Sequence, residues 1–478
     1  MSDRPNILFA IADDASHFSA YGHAFVDTPA FDRVAREGVL FANAFTTNPK
    51  CAPSRACILT GRHTWQLEEA CNHFGVFPSK FAVFPDLLDA NGYVVGFTGK
   101  GWAPGDHAAG GCKRNPAGPE FTGKTLDPPS STISKKDYEG NFGDFLDKRP
   151  DGAPFCFWYG GHEPHRKYEE GEGVRAGKHI EDVEVPPYWP DDDTVKRDIL
   201  DYAFETEWFD RQLGGMLNTL EAAGELDNTI VVVTSDNGMP FPRVKGQMYE
   251  DDFHLPLAVR WGERCAGGWV VHDSISWIDF ASTFLEAAGC ESHDQHSGRS
   301  FLDVLLSEVD GWIDETRDRV YTGKERHDVG REGDLGYPVR CVRTRDYLYV
   351  RNFELDRWPA GNPETGYTNV DSSPTKTLIL EQHEAGEDRY YDLSFGKRPA
   401  EELFDIREDT VCIHNLADDP EHAETKESLW SDLQRALTEH RDPRVMGNAD
   451  VFDSYAYVGN APHSWANYQA GNWNRQGY

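Results

Sequence analysis

The sequence predicts an α/β fold: a mainly parallel sheet sandwiched by helices, followed by a smaller unit with an antiparallel sheet and a helix. Three observations lead there. Over the first two thirds of the chain, short β-rich apolar runs alternate with segments whose apolar residues recur at helical spacing, the pattern of strands joined by crossover helices. From about Pro338 the texture changes to successive strand-like runs. The 478 residues also exceed what one hydrophobic core usually serves, so a large domain plus a smaller one is expected, and 39% apolar residues are ample to fill them.

Taken in order, NILFAIADD at 6 to 14 is the first strand run and PAFDRVAREG at 29 to 38 the first helix. YVVGFTGK at 93 to 100, PFCFWYGG at 154 to 161 and TIVVVTSDNG at 229 to 238 are further strands, with a long helix over 198 to 224 before the last of them. Parallel sheets gather ligands beyond the carboxyl ends of their strands. Asp13 and Asp14, Lys100, His162 and His165, and Asp236 with Asn237 each follow a strand run directly, which places them on one rim. Past 338, the runs 338 to 355, DRYYDL at 388 to 393 and EELFDI at 401 to 406 read as antiparallel strands, and 424 to 440 as a helix. The expected division is a catalytic domain over 1–337, a small α+β domain over 338–443, and an aromatic-rich arm over 444–478. That arm is either packed on the body or used as a subunit contact, so an oligomer is open.

A formal charge of −34 argues against nucleic acid and anionic membrane surfaces as partners, because long-range repulsion opposes encounter. No stretch has the apolar length that spans a bilayer. The opening MSDRPNILFAIADD lacks a basic start, apolar run and cleavage site, so a cytoplasmic protein or a trimmed mature form is expected. Nine cysteines without paired spacing indicate neither a zinc site nor a disulfide framework.

The chemistry sits in a few short motifs. CAPSR at 51 to 55 continues as ACILTGR to Arg62. Singly, DD or DN after a strand reads as a turn or helix cap. Together, three carboxylates and one amide oxygen make a half-shell for a hard divalent cation. The order DD, then CAPSR, then GK at Lys100, then PH at His165, then DN resembles that of the type I, formylglycine-dependent sulfatases. TSDNGMPFP, HEPHR and HRDPRV are similar to the heparan N-sulfatase-like branch of that family, and ELFDIREDTVCIHNLADDP at 402 to 420 resembles its C-terminal pattern.

The resemblance implies an alkaline-phosphatase-like fold and a sulfuric ester hydrolase acting on a carbohydrate. In that family a maturation enzyme oxidises the cysteine to formylglycine (3-oxoalanine), whose hydrate carries two hydroxyls on one carbon. One attacks sulfur and the other expels sulfate. An unmodified thiol lacks the second hydroxyl, so Cys51 as encoded is expected to be nearly inert. By the same resemblance Asp13, Asp14, Asp236 and Asn237 bind Ca2+ beside residue 51. Arg55 holds the aldehyde hydrate, Lys100 bridges it to the sulfate, His165 contacts the sulfate or protonates the leaving oxygen, and Lys245 adds positive charge.

One departure stands out. The family's G-K-x-H reads GKGW here, with Trp102 at the histidine position; its task would fall to His107, to His162 or to water on the metal. His63, Trp65, Gln66, Trp102 and His254 are specificity candidates from their closeness to these motifs. Arg62, His63, Arg166 and Lys167 would form a small basic mouth on an acidic body, with Trp65 or Trp102 stacking on a sugar. The expected partners are therefore the maturation enzyme and a sulfated mono- or oligosaccharide, attacked end-on as an O-sulfate ester or N-sulfamate. The alternatives are a phosphodiester or phosphonate hydrolase of the same superfamily, and a catalytically silent glycan-binding relative.

Overall fold

The structure, a computed structural model, describes residues 4–473. Seven strands form the main sheet: β1 (Asn6–Ala12), β2 (Val39–Phe41), β3 (Val94–Gly99), β4 (Phe155–Gly160), β5 (Thr229–Ser235), β6 (Leu257–Arg260) and β7 (Trp269–Val271). Their order is β7-β2-β6-β5-β1-β4-β3. The four strands β3, β4, β1 and β5 run parallel, and only β6 opposes its neighbours. All seven residues of β1 are buried, as a central strand covered on both faces requires.

Alternation along β1 sorts the two helical layers. Ile7, Phe9 and Ile11 pack with α2 (Cys51–Thr60), α3 (Phe84–Ala90) and α6 (Asp279–Ala287), through residues such as Ala56, Leu88 and Phe284. Leu8, Ala10 and Ala12 pack on the opposite layer of α1 (Pro29–Glu37), α4 (Tyr138–Lys148) and α5 (Asp193–Ala222), through Phe31, Phe142 and Leu213. The whole of α2 is buried, and it ends where Gly61 adopts φ 62° and donates its N–H to the Cys57 carbonyl.

The second sheet is an antiparallel meander of β8 (Arg319–Lys324), β9 (Val339–Thr344), β10 (Tyr347–Asn352) and β11 (Glu401–Asp405). Its first strand precedes residue 338, so the antiparallel unit begins earlier in the chain than the change in sequence texture suggests. One face packs Val342, Tyr349 and Leu403 against Leu429, Leu433 and Leu437 of α9 (Ala423–Glu439). The other turns Cys341, Val350 and Phe404 toward Phe45, Met248 and Phe253 of the large unit.

DRYYDL is not a strand. Residues Arg389–Ser394 form helix α8, following α7 (Pro374–Glu384). Tyr391 stacks on His383 at 3.6 Å and its hydroxyl meets that of Tyr367, contacts that outweigh the β preference of adjacent tyrosines. The described residues after Arg444 pack on the body in their middle stretch. Val458 donates to the Phe74 carbonyl, Tyr457 to Asp328, and Arg326 to the carbonyls of Tyr455 and Ala456.

Candidate active site

Strand register assembles the site. In β1 and β5, Ala12 pairs with Ser235, so Asp13 and Asp14 leave the sheet beside Asp236 and Asn237. Ile11 and Gly99 both pair with Gly160, which brings Lys100 to the same rim from the other side. Asp14 turns the chain with φ 73°, and its N–H donates to Asp236 Oδ1 at 3.1 Å. Helix α2 begins at Cys51, and Cys51 Sγ lies 3.7 Å from Asp14 Oδ1.

The acids are matched by fixed cations. Lys100 Nζ straddles both oxygens of Asp13 at 2.8 and 2.6 Å. Lys245 bridges Asp14 and Asp371, the latter at 3.0 Å. Arg55, fully buried one turn after Cys51, gives Nε to Asp236 Oδ2 at 2.7 Å and Nη1 to the Lys100 carbonyl at 2.6 Å. His165 Nδ1 is 2.7 Å from the Arg166 carbonyl, which makes it the donor and turns Nε2 toward Asp14 Oδ2, 3.8 Å away. Burial alone would raise the Asp13 carboxyl, but Lys100, His165, Arg55 and Lys245 hold it well below the usual range. Burial and then the Asp13 charge push the Cys51 thiol well above its ordinary value, so it is a poor thiolate.

The donor set fits a hard divalent cation. Carboxylate oxygens of Asp13, Asp14 and Asp236 lie within 4.8 Å of one another. Asn237 Nδ2 donates to Asp14 Oδ1 at 2.8 Å and to the Gly238 carbonyl, while its buried Oδ1 has no hydrogen-bond partner. An orphaned amide oxygen beside three carboxylates is a ligand set for an oxygen-seeking ion.

Above this cluster opens a cavity of about 640 Å³, lined by Asp13, Lys100, His162, His165 and Arg166. His162 is the one of the two histidines proposed to stand in for the missing G-K-x-H residue that lines it; burial lowers its imidazole to about 3, so it is neutral at ordinary pH. His107 does not line it. Lys50, His73, Asp328 and Asp371 do, and none of the four was expected from the sequence. Only Lys50 carried a signal, its place directly before Cys51.

The other specificity candidates lie elsewhere. His63, Trp65 and Gln66 follow the far end of ten-residue α2, about 15 Å along its axis from Cys51. Trp65 is 2% exposed and stacks on His63 at 4.5 Å, while Gln66 accepts from the His63 N–H and from Ser297. Trp102 is 1% exposed and packs edge-on against Phe77 at 5.1 Å, so neither tryptophan offers a sugar a free ring face. His254 is held between Glu250 and the Ala42 carbonyl in a different cavity. The expected basic mouth does not form as such: Arg62 is tied to the Gln295 carbonyl, and Arg166 makes a bidentate pair with Asp198 at 2.7 and 2.9 Å. Lys167 is exposed.

Comparison with known proteins agrees with this geometry. The family described as Sulfatase matches residues 5–290, and the one described as N-sulphoglucosamine sulphohydrolase, C-terminal, matches 244–359. An ulvan-active sulfatase of Formosa agariphila is 26% identical over 486 residues, covering 95% of this chain and 78% of that protein. The human N-sulphoglucosamine sulphohydrolase is 29% identical over 500 residues, covering 94% of this chain and 93% of its own. A solved structure described as a complex with its substrate D-glucosamine-2-N,6-O-disulfate shares the fold, with a TM-score of 0.65 and 22% identity over 92% of this chain and 98% of that one. Because Cys51, the carboxylate cluster and the surrounding lysines all fall within residues 5–290, the chain belongs to the sulfatase family, hydrolases of sulfuric esters.

Proposed function

We propose that the protein is a calcium- and formylglycine-dependent carbohydrate sulfatase that removes an O-sulfate or N-sulfamate from the terminal unit of a short sulfated saccharide. The observation that carries this reading is the meeting of Cys51, three carboxylates, the orphaned Asn237 oxygen and two lysines in one cluster, of which Asp13 and Lys100 line the cavity. The names of the human and Formosa relatives support a sulfated carbohydrate as substrate.

Asp13, Asp14, Asp236, Asn237 and the side chain at 51 would hold calcium, which supplies Lewis-acid polarisation of sulfate oxygens. Conversion of Cys51 to formylglycine would supply the nucleophilic hydroxyl and the second hydroxyl needed for release. The chain's own residues do the rest. Lys100 and Lys245 bring fixed positive charge to the reacting anion, where developing negative charge is greatest. His165, with Nδ1–H pinned by the Arg166 carbonyl, presents Nε2 on the side of the acid cluster, where it would contact the sulfate and, when that nitrogen also carries a proton, give it to the leaving oxygen or nitrogen. Arg55 positions Asp236 and the backbone of Lys100 and does not reach the cavity lining.

Two features support end-on attack. Phe74 and Asp328, both in the lining, are tied to Val458 and Tyr457 of the arm, which backs that side of the cavity. A chain at −34 also repels a long polyanion more than a short one. The test is mass spectrometry of the peptide around Cys51 from a converting host, combined with sulfate release from defined oligosaccharides. Formylglycine at 51 and loss of terminal sulfate are expected. Equal rates at internal units would refute the end-on model, and activity confined to phosphate diesters would refute the sulfatase assignment.

A further inference from the structure

One wall of the cavity holds a positive charge with which no group among the described residues makes a contact pair. Lys50 is 4% exposed and lines the cavity, yet among the described residues its ammonium makes neither an ion pair nor a hydrogen bond. Two acids of the lining feel this charge without touching it: Asp371 pairs with Lys245, and Asp328 accepts from the Tyr457 hydroxyl and the Val329 N–H. His73, 8% exposed in the same lining, has a buried Nδ1 without a partner. After burial itself, Lys50 is the foremost of the charges that keep the His73 imidazole neutral, so the two side chains share one field. An ammonium that lines a cavity without a contact partner is open to an anion from outside, which would give it the close partner the protein does not. The sulfate under attack already has Lys100 and Lys245 on the carboxylate cluster, so Lys50 is surplus to it.

We infer that Lys50, with His73 near it, forms a second anion subsite, which receives a carboxylate or a further sulfate carried by the substrate in addition to the sulfate that is removed. Resting on the sulfatase reading above, the inference narrows the substrate class to sulfated carbohydrates with another acidic group within reach of the cavity. Lys50 provides charge, and His73 stands beside it as a neutral, polar part of the same lining.

Binding calorimetry on the full chain with unconverted Cys51, in calcium buffer, tests this without turnover. Two matched pairs of probes separate the sources of the second charge: N-acetylglucosamine 6-sulfate against glucosamine 2-N,6-O-disulfate, and methyl glucoside 2-sulfate against methyl glucuronide 2-sulfate. In at least one pair the doubly anionic sugar should bind about tenfold tighter or more. Lys50→Met, which keeps the side-chain length and relieves a buried charge, should bring that ratio to within about twofold of unity, and Lys50→Arg should retain most of it. Which pair shows the effect identifies carboxylate or sulfate. Equal affinities within both pairs, or a ratio that survives Lys50→Met, would overturn the subsite alone. Failure of all four sugars to bind the parent chain would overturn the reading of a short sulfated saccharide as substrate, and the subsite with it.

Discussion

Replacing Arg55 by methionine separates a positioning role from a direct one. The guanidinium is buried and gives hydrogen bonds to Asp236 Oδ2 at 2.7 Å and to the carbonyls of Lys100 and Gly101 at 2.6 and 3.3 Å. Methionine fills a similar volume, so the loss is electrostatic rather than a cavity. Removing one partner of a buried pair costs about 3–5 kcal/mol, because Asp236 is left beside Asp13 and Asp14 without its nearest counter-charge. Each abandoned carbonyl adds about 1 kcal/mol. A domain is stable by only about 5–15 kcal/mol, so the variant should melt several degrees lower. Calcium would now be the main charge offsetting Asp236, but with a ligand no longer held in place its affinity should fall about 10- to 100-fold, as for other residues that orient metal ligands. Scanning calorimetry with and without calcium, and calcium titration calorimetry, measure the two effects. A variant that melts within about 1 °C of the parent and binds calcium equally well would show that Arg55 does not organise the cluster.

Three further outcomes are expected. Cys51→Ser and Cys51→Ala should abolish turnover while circular dichroism stays unchanged, and a serine variant working near the parent rate would sink the formylglycine mechanism. Chelation should stop turnover and lower the melting temperature, with calcium at 100 times its dissociation constant restoring about 2.7 kcal/mol; a melting curve indifferent to chelator would remove the metal assignment. Asp210 is buried where it accepts the N–H groups of Ala30 and Phe31, and burial raises its carboxyl to about 7. A raised carboxyl favours the fold at pH below about 4 and loses that contribution as pH rises to about 7, a swing of about 4 kcal/mol. Asp210→Asn should therefore flatten the stability profile over that window, and an unchanged slope in urea denaturation between pH 4 and 7 would contradict it.

The proposed reacting centre is legible because it hangs on periodic structure. A parallel strand ends where its apolar run ends, so Asp13, Lys100, His165 and Asp236 announce themselves as polar residues after hydrophobic runs, and register aligns them. The specificity wall lacks that logic. Asp328 and Asp371 lie in irregular chain between elements and reach the cavity only because the small sheet and the arm fold back over the large unit. His63, Trp65 and Trp102 were misplaced for the complementary reason. Nearness in sequence to Cys51 or Lys100 suggests nearness in space, whereas a buried helix carries 63 to 66 away from the cluster, and the turn after β3 puts the Trp102 ring into the core. DRYYDL was misread because two tyrosines score as strand formers while their packing on His383 and Tyr367 decides for a helix.

Lys50 joins the two kinds of information. Its position before Cys51 is fixed by the same segment that starts α2, so it must approach the reacting centre whatever the rest of the wall becomes. Its charge, however, is answered by nothing in that segment. Chemistry at this site is thus encoded in strand ends and one helix start, and selectivity in which loops return to cover them. A residue belonging to the first group with an unmet need in the second is where a substrate's own charge completes the protein's.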